Sequence, residues 1–411
     1  MIQRLGHLVE QVTAGPGDAP ESFLALESIE SRTGALIEDT DLPRRTPEPS
    51  GMTAFREGDV LFGKLRPYLA KSWRADRRGI CSTELIVMRP RPSVEGRWLA
   101  YLAQSDPLIE WAVATSEGVK MPRTSWEKLR LLEVRTPRLV EQRAVADYLD
   151  AETSRMDALA SRYKELVDRL VEKRGALTLQ GVSGQPMTRP SKPSALPWLT
   201  TIPSHWAEVR LTLVARLGSG HTPSREHPEW WTDCTIPWIT TGEVWQIRDD
   251  RIEYMTETRE MISELGIANS SAALHPAGTV VLSRTASAGY SASMGTDLAT
   301  SQDYVTWTCG PRLRQRFLLL CLRAMREDLL GRLAMGSTHQ TIYLPDIQSI
   351  RIPLPPLEEQ DHLVEWIWAR LRRIDAAVDA IRRQIAHLTE RRQALITAAV
   401  TGQLEVPGVA A

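Results

Sequence analysis

Pro355-Pro356-Leu357-Glu358-Glu359-Gln360 opens a stretch that closes at Val400-Thr401-Gly402-Gln403. Pro137-Arg138-Leu139-Val140-Glu141-Gln142 opens a second that closes at Val182-Ser183-Gly184-Gln185. Residue 137 maps onto residue 355, and the offset of 218 holds without a gap; 16 of the 49 aligned positions are identical. Arg155-Met156-Asp157-Ala158 falls on Arg373-Ile374-Asp375-Ala376, and Glu172-Lys173-Arg174 on Glu390-Arg391-Arg392. A register this fixed marks an internal repeat, and a repeat decides the architecture before any local signal does.

Each copy reads as a long helix. Leu149, Met156, Leu159, Tyr163, Leu166, Leu170 and Leu177 recur at steps of three and four, with a charged interruption at Lys173. Ile374, Val378, Ile381, Ile385, Leu388 and Leu395 do the same in the second copy. This is a coiled-coil type of seam, and the obvious partner of each copy is the other. Prolines before each start and glycines after each end (Gly184, Gly402) fit the usual asymmetry of helix boundaries. A plain dimerisation coiled coil is the alternative reading of the pattern.

A length of 411 residues allows two or three domains. The formal net charge of −1 excludes an overall basic nucleic-acid binder but not a local basic patch. No apolar run approaches 18 residues and Met1-Ile2-Gln3-Arg4 is not a signal peptide, so a soluble, cytoplasmic chain is expected. The four cysteines (Cys81, Cys234, Cys309, Cys321) are far apart, without metal-ligand spacing, and read as small buried hydrophobes.

Residues 1–136 form the first globular segment. Phe23-Leu24-Ala25-Leu26, Gly58-Asp59-Val60-Leu61-Phe62 and Glu84-Leu85-Ile86-Val87-Met88 read as strands, and Trp98 to Trp111 as a helix. Between Arg56 and Arg91 nine Lys/Arg face four acids, with Tyr68 and Trp73 interleaved and the hydroxyls of Ser82 and Thr83 nearby. Such a stretch suits phosphate and base-edge contact, and suits a solvated charged hairpin equally well. Gly58-Asp59-Val60-Leu61-Phe62-Gly63-Lys64-Leu65 copies a phosphate-binding loop except at its last position. Leu65 cannot hold Mg²⁺, and Pro67 follows where a helix should open, so nucleotide hydrolysis is not expected here.

The first helix (137–185) leads into a proline-rich linker at 186–197. A second globular segment, 198–354, precedes the second helix, 355–405. Arg210-Leu211-Thr212-Leu213-Val214 echoes Arg4-Leu5-Gly6-His7-Leu8-Val9, and Cys81-Ser82-Thr83-Glu84 aligns with Ala299-Thr300-Ser301-Gln302 at the same offset, so the globular parts are diverged repeats too. The first copy lacks a counterpart of Leu196 to Trp206. Small polar runs, Ser283 to Tyr290 and Gly336 to Thr341, fall where loops are expected. With 14 Arg against 16 Asp/Glu over 196–354, this half would bind phosphates weakly alone. No amino-methyltransferase Asn/Asp-Pro-Pro-aromatic motif, glycine-rich cofactor loop, paired histidines or nuclease Asp…Glu-x-Lys set is found.

The order globular–helix–globular–helix, with Pro-Leu-x-Glu-Gln opening each helix, resembles the DNA-specificity subunit of type I restriction–modification systems. The marks are Pro353 to Gln360, Leu395 to Gln403, Leu26-Glu27-Ser28-Ile29-Glu30-Ser31-Arg32-Thr33-Gly34, and Gly58 to Tyr68. Arg138 and Val140 depart from the pattern at the first helix opening. The resemblance implies an α+β chain: two pseudo-repeated α/β target-recognition domains, joined and followed by long helices that pair as an antiparallel coiled coil. It implies a non-catalytic subunit without cofactor or metal, reading a bipartite, asymmetric site on double-stranded DNA. The helices would fix the spacer and dock two copies of an adenine methyltransferase subunit and a restriction endonuclease subunit; no membrane is involved. Candidate DNA-binding residues are Lys64, Arg66, Tyr68, Lys71, Ser82, Thr83, Lys120 and Arg123 in the first domain. In the second they are Arg284, Thr285, Tyr290, Ser301, Gln302, Ser337, Thr338, His339 and Gln340. Two other classes stand beside this: a coiled-coil scaffold without sequence-specific DNA binding, and an enzyme of unrecognised type.

Overall fold

A computed structural model describes residues 1–13, 15, 22–37, 52–187, 189–335 and 340–407. The two repeated stretches are helices, Leu139–Val182 with 44 residues and Leu357–Thr401 with 45. Glu141 in one first turn, and Glu358 and Glu359 in the other, complement the positive helix end. Each helix stops before a glycine in the left-handed region, Gly184 at φ 78° and Gly402 at φ 72°, where a side chain would be strained.

The chain forms two compact units, Met1–Lys164 with Arg382–Ala411, and Glu165–Ile381. Each unit therefore contains one globular region, a part of the central helix and a part of the C-terminal helix.

In unit 1 the main sheet is antiparallel, in the order Val9–Val12, Leu85–Pro90, Val60–Gly63, Ser72–Arg74. A three-stranded sheet joins Phe23–Leu24, Gly79–Cys81 and Thr53–Phe55, its first pair parallel. The three strand segments expected from sequence are present, the first trimmed to two residues. The helix expected from Trp98 to Trp111 is two, Gly96–Gln104 and Asp106–Ala114. Ser105 is extended between them, with Pro107 in the first turn of the second helix. Proline has no N–H to give a preceding turn, so Pro107 fits the first turn of a new helix and not the interior of a continuous one. Val60, Phe62, Ile86 and Met88 from the sheet pack with Trp98, Leu99 and Leu102, and with Val145, Leu149, Ile396 and Val400 from the two long helices.

Unit 2 repeats this with elaborations. Its five-stranded sheet runs Ala215–Ser219, Tyr304–Cys309, Val280–Ser283, Ser291–Met294, Tyr254–Met255. The helix Gln315–Ala324 packs on it through Phe317, Leu318 and Leu322, and the core continues onto Val182, Leu363, Ile367 and Leu371 of the long helices. A smaller sheet around Ile236–Ile239 carries its own core of Trp238, Ile262, Ala272 and Ala299.

The helical seam differs from the expectation in its middle. Leu149, Met156, Ile374 and Val378 are buried, but Leu159 is 39% and Leu166 42% exposed. The apolar stripe is buried where a globular region joins the second helix in covering it, and two helices alone leave the rest half open.

A candidate nucleic-acid interface

The motif glutamines are the bolts of each unit. Gln142 is 1% exposed; its Oε1 accepts from the Glu95 N–H (2.8 Å) and its Nε2 donates to the Ser93 and Pro137 carbonyls (3.3 and 2.9 Å). Gln360, fully buried, accepts from the Arg314 N–H (2.8 Å) and donates to the Arg312 and Pro355 carbonyls (both 2.9 Å). One amide has both a donor and an acceptor and so satisfies a helix start and an incoming loop together. Glutamate could not do this while ionised.

A second junction ties the recognition region to the helices. In unit 1, Arg392 pairs with Asp157 at 3.1 Å and donates to the Arg32 and Thr33 carbonyls at 2.9 and 2.8 Å. In unit 2, Arg174 pairs with Asp375 at 3.0 Å and donates to the Asp250 carbonyl at 2.6 Å. Arg32 (φ 65°) and Asp250 (φ 56°) both take the left-handed backbone that aims the carbonyl at the guanidinium. Both are related by the offset of 218.

On this frame unit 1 presents a loop cluster. The hairpin between Val60–Gly63 and Ser72–Arg74 meets the loop Glu117–Arg123 through a Leu65–Arg123 bridge and an Arg66 N–H to Pro122 carbonyl bond of 2.7 Å. This brings Lys64, Arg66, Tyr68, Lys120 and Arg123 together. Arg66, Tyr68 and Lys120 are exposed and Lys64 is half-buried. Among the described residues these four side chains have no hydrogen bond or ion pair, which leaves three cations and an aromatic ring available to a ligand. Arg123 is already held by both oxygens of Glu84, at 3.0 and 3.1 Å. Lys71 is committed elsewhere, donating to the Leu26 and Glu27 carbonyls at 3.2 and 3.4 Å. It acts as a loop clamp. Thr83 is exposed, whereas the Ser82 hydroxyl accepts from the Glu84 N–H at 3.2 Å.

The basic run at Arg56–Arg91 is thus split by the structure. Arg89 forks onto Asp59, which is 1% exposed, and Arg77 lies over the Trp73 ring. Sequence alone could not separate Arg89 from the free cations, because its partner Asp59 lies 30 residues away.

In unit 2 the Arg284 Nε donates to the Gln302 carbonyl at 2.9 Å, and the Gln302 side-chain oxygen accepts from Thr222 at 2.7 Å. Thr285 pairs with Thr341, and Ala286 with Gln340, so those loops meet as in unit 1. Gln302 and Gln340 are exposed. Ser301 is 2% exposed and bonds Asp303, so its hydroxyl is a turn former with no access to a ligand. Tyr290 is half-buried with the Arg326 guanidinium 4.5 Å from its ring centre, which makes it a packing residue. Ser337, Thr338 and His339 lie outside the described residues.

The sheet register corrects the sequence alignment by one. Ser82 donates its N–H to the Leu24 carbonyl and accepts from Glu84; Ser301 donates to Ile239 and accepts from Asp303. Ser82 therefore corresponds to Ser301, not Thr300, at an offset of 219.

The sequence reading passed over an aromatic–cation surface in unit 2. Arg225 lies 3.6 Å from the Trp231 ring centre, Arg259 lies 4.9 Å from that of Trp245, and His227 stacks on Trp230 at 4.1 Å. Trp245 is 55% exposed. The density of tryptophan between 230 and 245 was the available signal. Three of the cysteines behave as small hydrophobes: burial pushes the Cys81 and Cys309 thiols up to about 12 and raises that of Cys321 well above its ordinary value. Among the described residues no helix is long and apolar enough to cross a membrane, and no cluster of His, Cys, Asp and Glu could hold a metal.

Residues 203–390 match the family model described as the type I restriction modification DNA specificity domain. The chain is similar to the type I restriction enzyme MjaIX specificity subunit of Methanocaldococcus jannaschii, 26% identical over 164 residues, 39% of this chain and 37% of that protein. It is similar to the type I restriction enzyme EcoDI specificity subunit of Escherichia coli, 25% identical over 181 residues, 40% of this chain and 39% of that one. The chain thus spans under two fifths of the length of the curated relatives it matches. A chain from a solved structure concerned with complex assembly and conformational transition of the type I R-M system superposes with a TM-score of 0.71, at 22% identity and 98% coverage of both chains. The HsdS subunit of Thermoanaerobacter tengcongensis gives 0.52 at 21% identity, covering 98% of this chain and 97% of that one. These two likenesses establish the fold.

Proposed function

From the premise that this chain belongs to the type I restriction–modification DNA specificity family, we propose that it is the non-catalytic subunit that reads a bipartite, asymmetric site on double-stranded DNA. Residues 1–136 are one target-recognition domain and 198–354 the other; the helices at 137–185 and 355–405 carry them. The supporting observation is the loop cluster of unit 1, where, among the described residues, the Lys64, Arg66 and Lys120 side chains have no hydrogen bond or ion pair and Tyr68 is exposed. Unpartnered cations bind phosphate at no internal cost, and affinity for DNA comes largely from such contacts. Base reading falls to neighbouring polar side chains, Thr83 in unit 1 and Gln302 and Gln340 in unit 2. Because the two clusters differ in sequence, the half-sites differ.

The repeat gives each recognition domain the same attachment to the helices, through Gln142 and Arg392 in one unit and Gln360 and Arg174 in the other. Two equivalent attachments suit two copies of an adenine methyltransferase subunit, with an endonuclease subunit joining for cleavage. The helices would set the unspecified spacer. Chemistry on the flipped adenine belongs to the partner.

The test is methylome sequencing of a host expressing this chain with its neighbouring methyltransferase subunit. A bipartite adenine motif that disappears without this chain is expected. Substitutions at Thr83 should alter the first half-site only, and those at Gln302 and Gln340 the second, while loss of Lys64, Arg66 or Lys120 lowers occupancy without changing the motif. A stable complex that methylates nothing, or a motif indifferent to both sets, would refute the assignment.

A further inference from the structure

In unit 2 a short parallel pair, Ile236–Ile239 beside Leu298–Thr300, ends at one edge of the smaller sheet. Gln302 stands just past that edge, in a turn. The Ser301 N–H donates to the Ile239 carbonyl at 2.8 Å, and the Tyr304 N–H closes back on the Ser301 carbonyl at 3.2 Å. The Arg284 N–H donates to the Asp303 carbonyl at 2.8 Å, and its Nε to the Gln302 carbonyl at 2.9 Å. The backbone on either side of Gln302 is thus held, while its side chain is exposed.

A second segment orients the amide. Gly220 lies so close to Thr300 that a Cβ there would come within 1.9 Å of the Thr300 carbonyl oxygen. The next N–H, of His221, donates to that same carbonyl at 3.0 Å. This approach delivers Thr222, whose hydroxyl donates to Gln302 Oε1 at 2.7 Å. A carbonyl oxygen has two lone pairs, so Oε1 keeps one, and among the described residues Nε2 makes no hydrogen bond. The Thr222 bond therefore fixes which end of the amide accepts and which donates before any ligand arrives. The same scaffold recurs in unit 1. The Lys64 N–H donates to the Glu84 carbonyl at 2.9 Å, and the Thr124 N–H to the Lys64 carbonyl at 3.0 Å, as the Ile342 N–H does to the Arg284 carbonyl at 2.8 Å. Thr83 occupies the place of Gln302.

Resting on the DNA reading above, we propose that Gln302 reads one adenine of the second half-site in the major groove, and that Thr222 is its positioning residue. An amide with an acceptor and a donor side by side complements the adenine edge, whose N6 amino group donates and whose N7 accepts. Guanine offers two acceptors there, cytosine one donor and thymine one acceptor, so none of them satisfies both ends. The base is one other than the methylated adenine, because that one is flipped out of the stack for its chemistry. Thr83, with a single hydroxyl, has no such pair of groups to offer, so the first half-site is read differently at the equivalent place.

The test is methylome sequencing of a host expressing the full chain, wild type or variant, with its neighbouring methyltransferase subunit. The wild type should give a second half-site with an A·T pair besides the methylated one. Gln302→Ala should make that pair degenerate, its preference falling about tenfold or more, with the first half-site intact. Gln302→Glu should move the preference toward cytosine, whose N4 amino group donates to a carboxylate. Thr222→Val should weaken the preference at the same pair only, and Thr222→Ser should retain it; a merely structural threonine would lower methylation of all sites alike. Thermal melts of the variants confirm that the fold is retained. A wild-type motif whose second half-site is unchanged by Gln302→Ala, or relaxed at a G·C pair instead, would overturn the inference and leave the DNA reading intact. Absence of any methylation that depends on this chain would overturn both.

Discussion

Arg174 and Asp375 face each other across the two long helices at 3.0 Å, and Arg392 and Asp157 make the same contact at 3.1 Å with the helices exchanging roles. Repeat-related residues thus pair reciprocally, as in the self-complementary interface of a symmetric dimer. The divergence around these pairs is as informative as the identity. Asp250 in unit 2 collects Arg174, Arg323 and Arg326, whereas Arg32 stands in its place in unit 1.

Asp250→Ala should be the most destabilising single change in that network. Arg323 is 8% exposed and would lose its counter-charge, as would Arg326. Removing one partner of a buried pair costs about 3–5 kcal/mol. Asp157→Ala, whose carboxylate is 51% exposed, should cost about 1 kcal/mol or less. Urea unfolding of the two variants checks the order; equal losses would contradict it.

Gln142→Ala and Gln360→Ala should each cost about 1–3 kcal/mol, because a backbone N–H and two carbonyls lose their partner in a dry site. Gln360→Glu should be worse than Gln360→Ala at neutral pH, since a carboxylate would face the Arg312 and Pro355 carbonyls. Melting curves at neutral and acid pH read this out; protonation should recover part of the loss in the Glu variant.

Glu95 pairs with Arg143 at 3.5 Å, and the corresponding Arg314 pairs with Asp361 at 3.0 Å, so the two units carry one ion pair in opposite polarity. Glu95→Arg alone should destabilise unit 1 by about 1 kcal/mol, and adding Arg143→Asp should restore it. A double-mutant cycle that shows no coupling would deny the equivalence.

DNA affinity should fall on Lys64→Ala, Arg66→Ala and Lys120→Ala, and the slope of log K against log salt should decrease by about 0.9 for each phosphate contact removed. Arg123→Ala should do less, because Glu84 already neutralises that guanidinium. Lys71→Ala should act through stability. Binding isotherms at several salt concentrations, with melts alongside, separate the three behaviours.

Burial raises the Glu359 carboxyl, but hydrogen bonds from Trp206 and His205 outweigh it and hold the group below its ordinary value. A depressed carboxylate contributes stability that is present above the unfolded value and lost as pH falls through the folded one. The seat of Ile202–Trp206 should therefore loosen only below the ordinary carboxylate range near about 4.3. Tryptophan fluorescence against pH should show an acid transition that Glu359→Gln removes. A transition above pH 6 would point to another group.

The repeat, both helix spans and the class of the chain follow from the sequence, because a two-fold duplication leaves its offset in the numbering and helix periodicity is local. The break at Ser105 was equally local, announced by Pro107. Tertiary structure decided what each polar residue does. Lys71 and Lys64 lie seven residues apart in one basic run, yet Lys71 clamps the Leu26 carbonyl, which the fold brings from 45 residues away, while the Lys64 side chain has no such bond among the described residues. Ser301 reads as a binding hydroxyl until the turn buries it. Gln142 and Gln360 read as a family mark, and only the packed loops show that their amides close two backbone gaps at once.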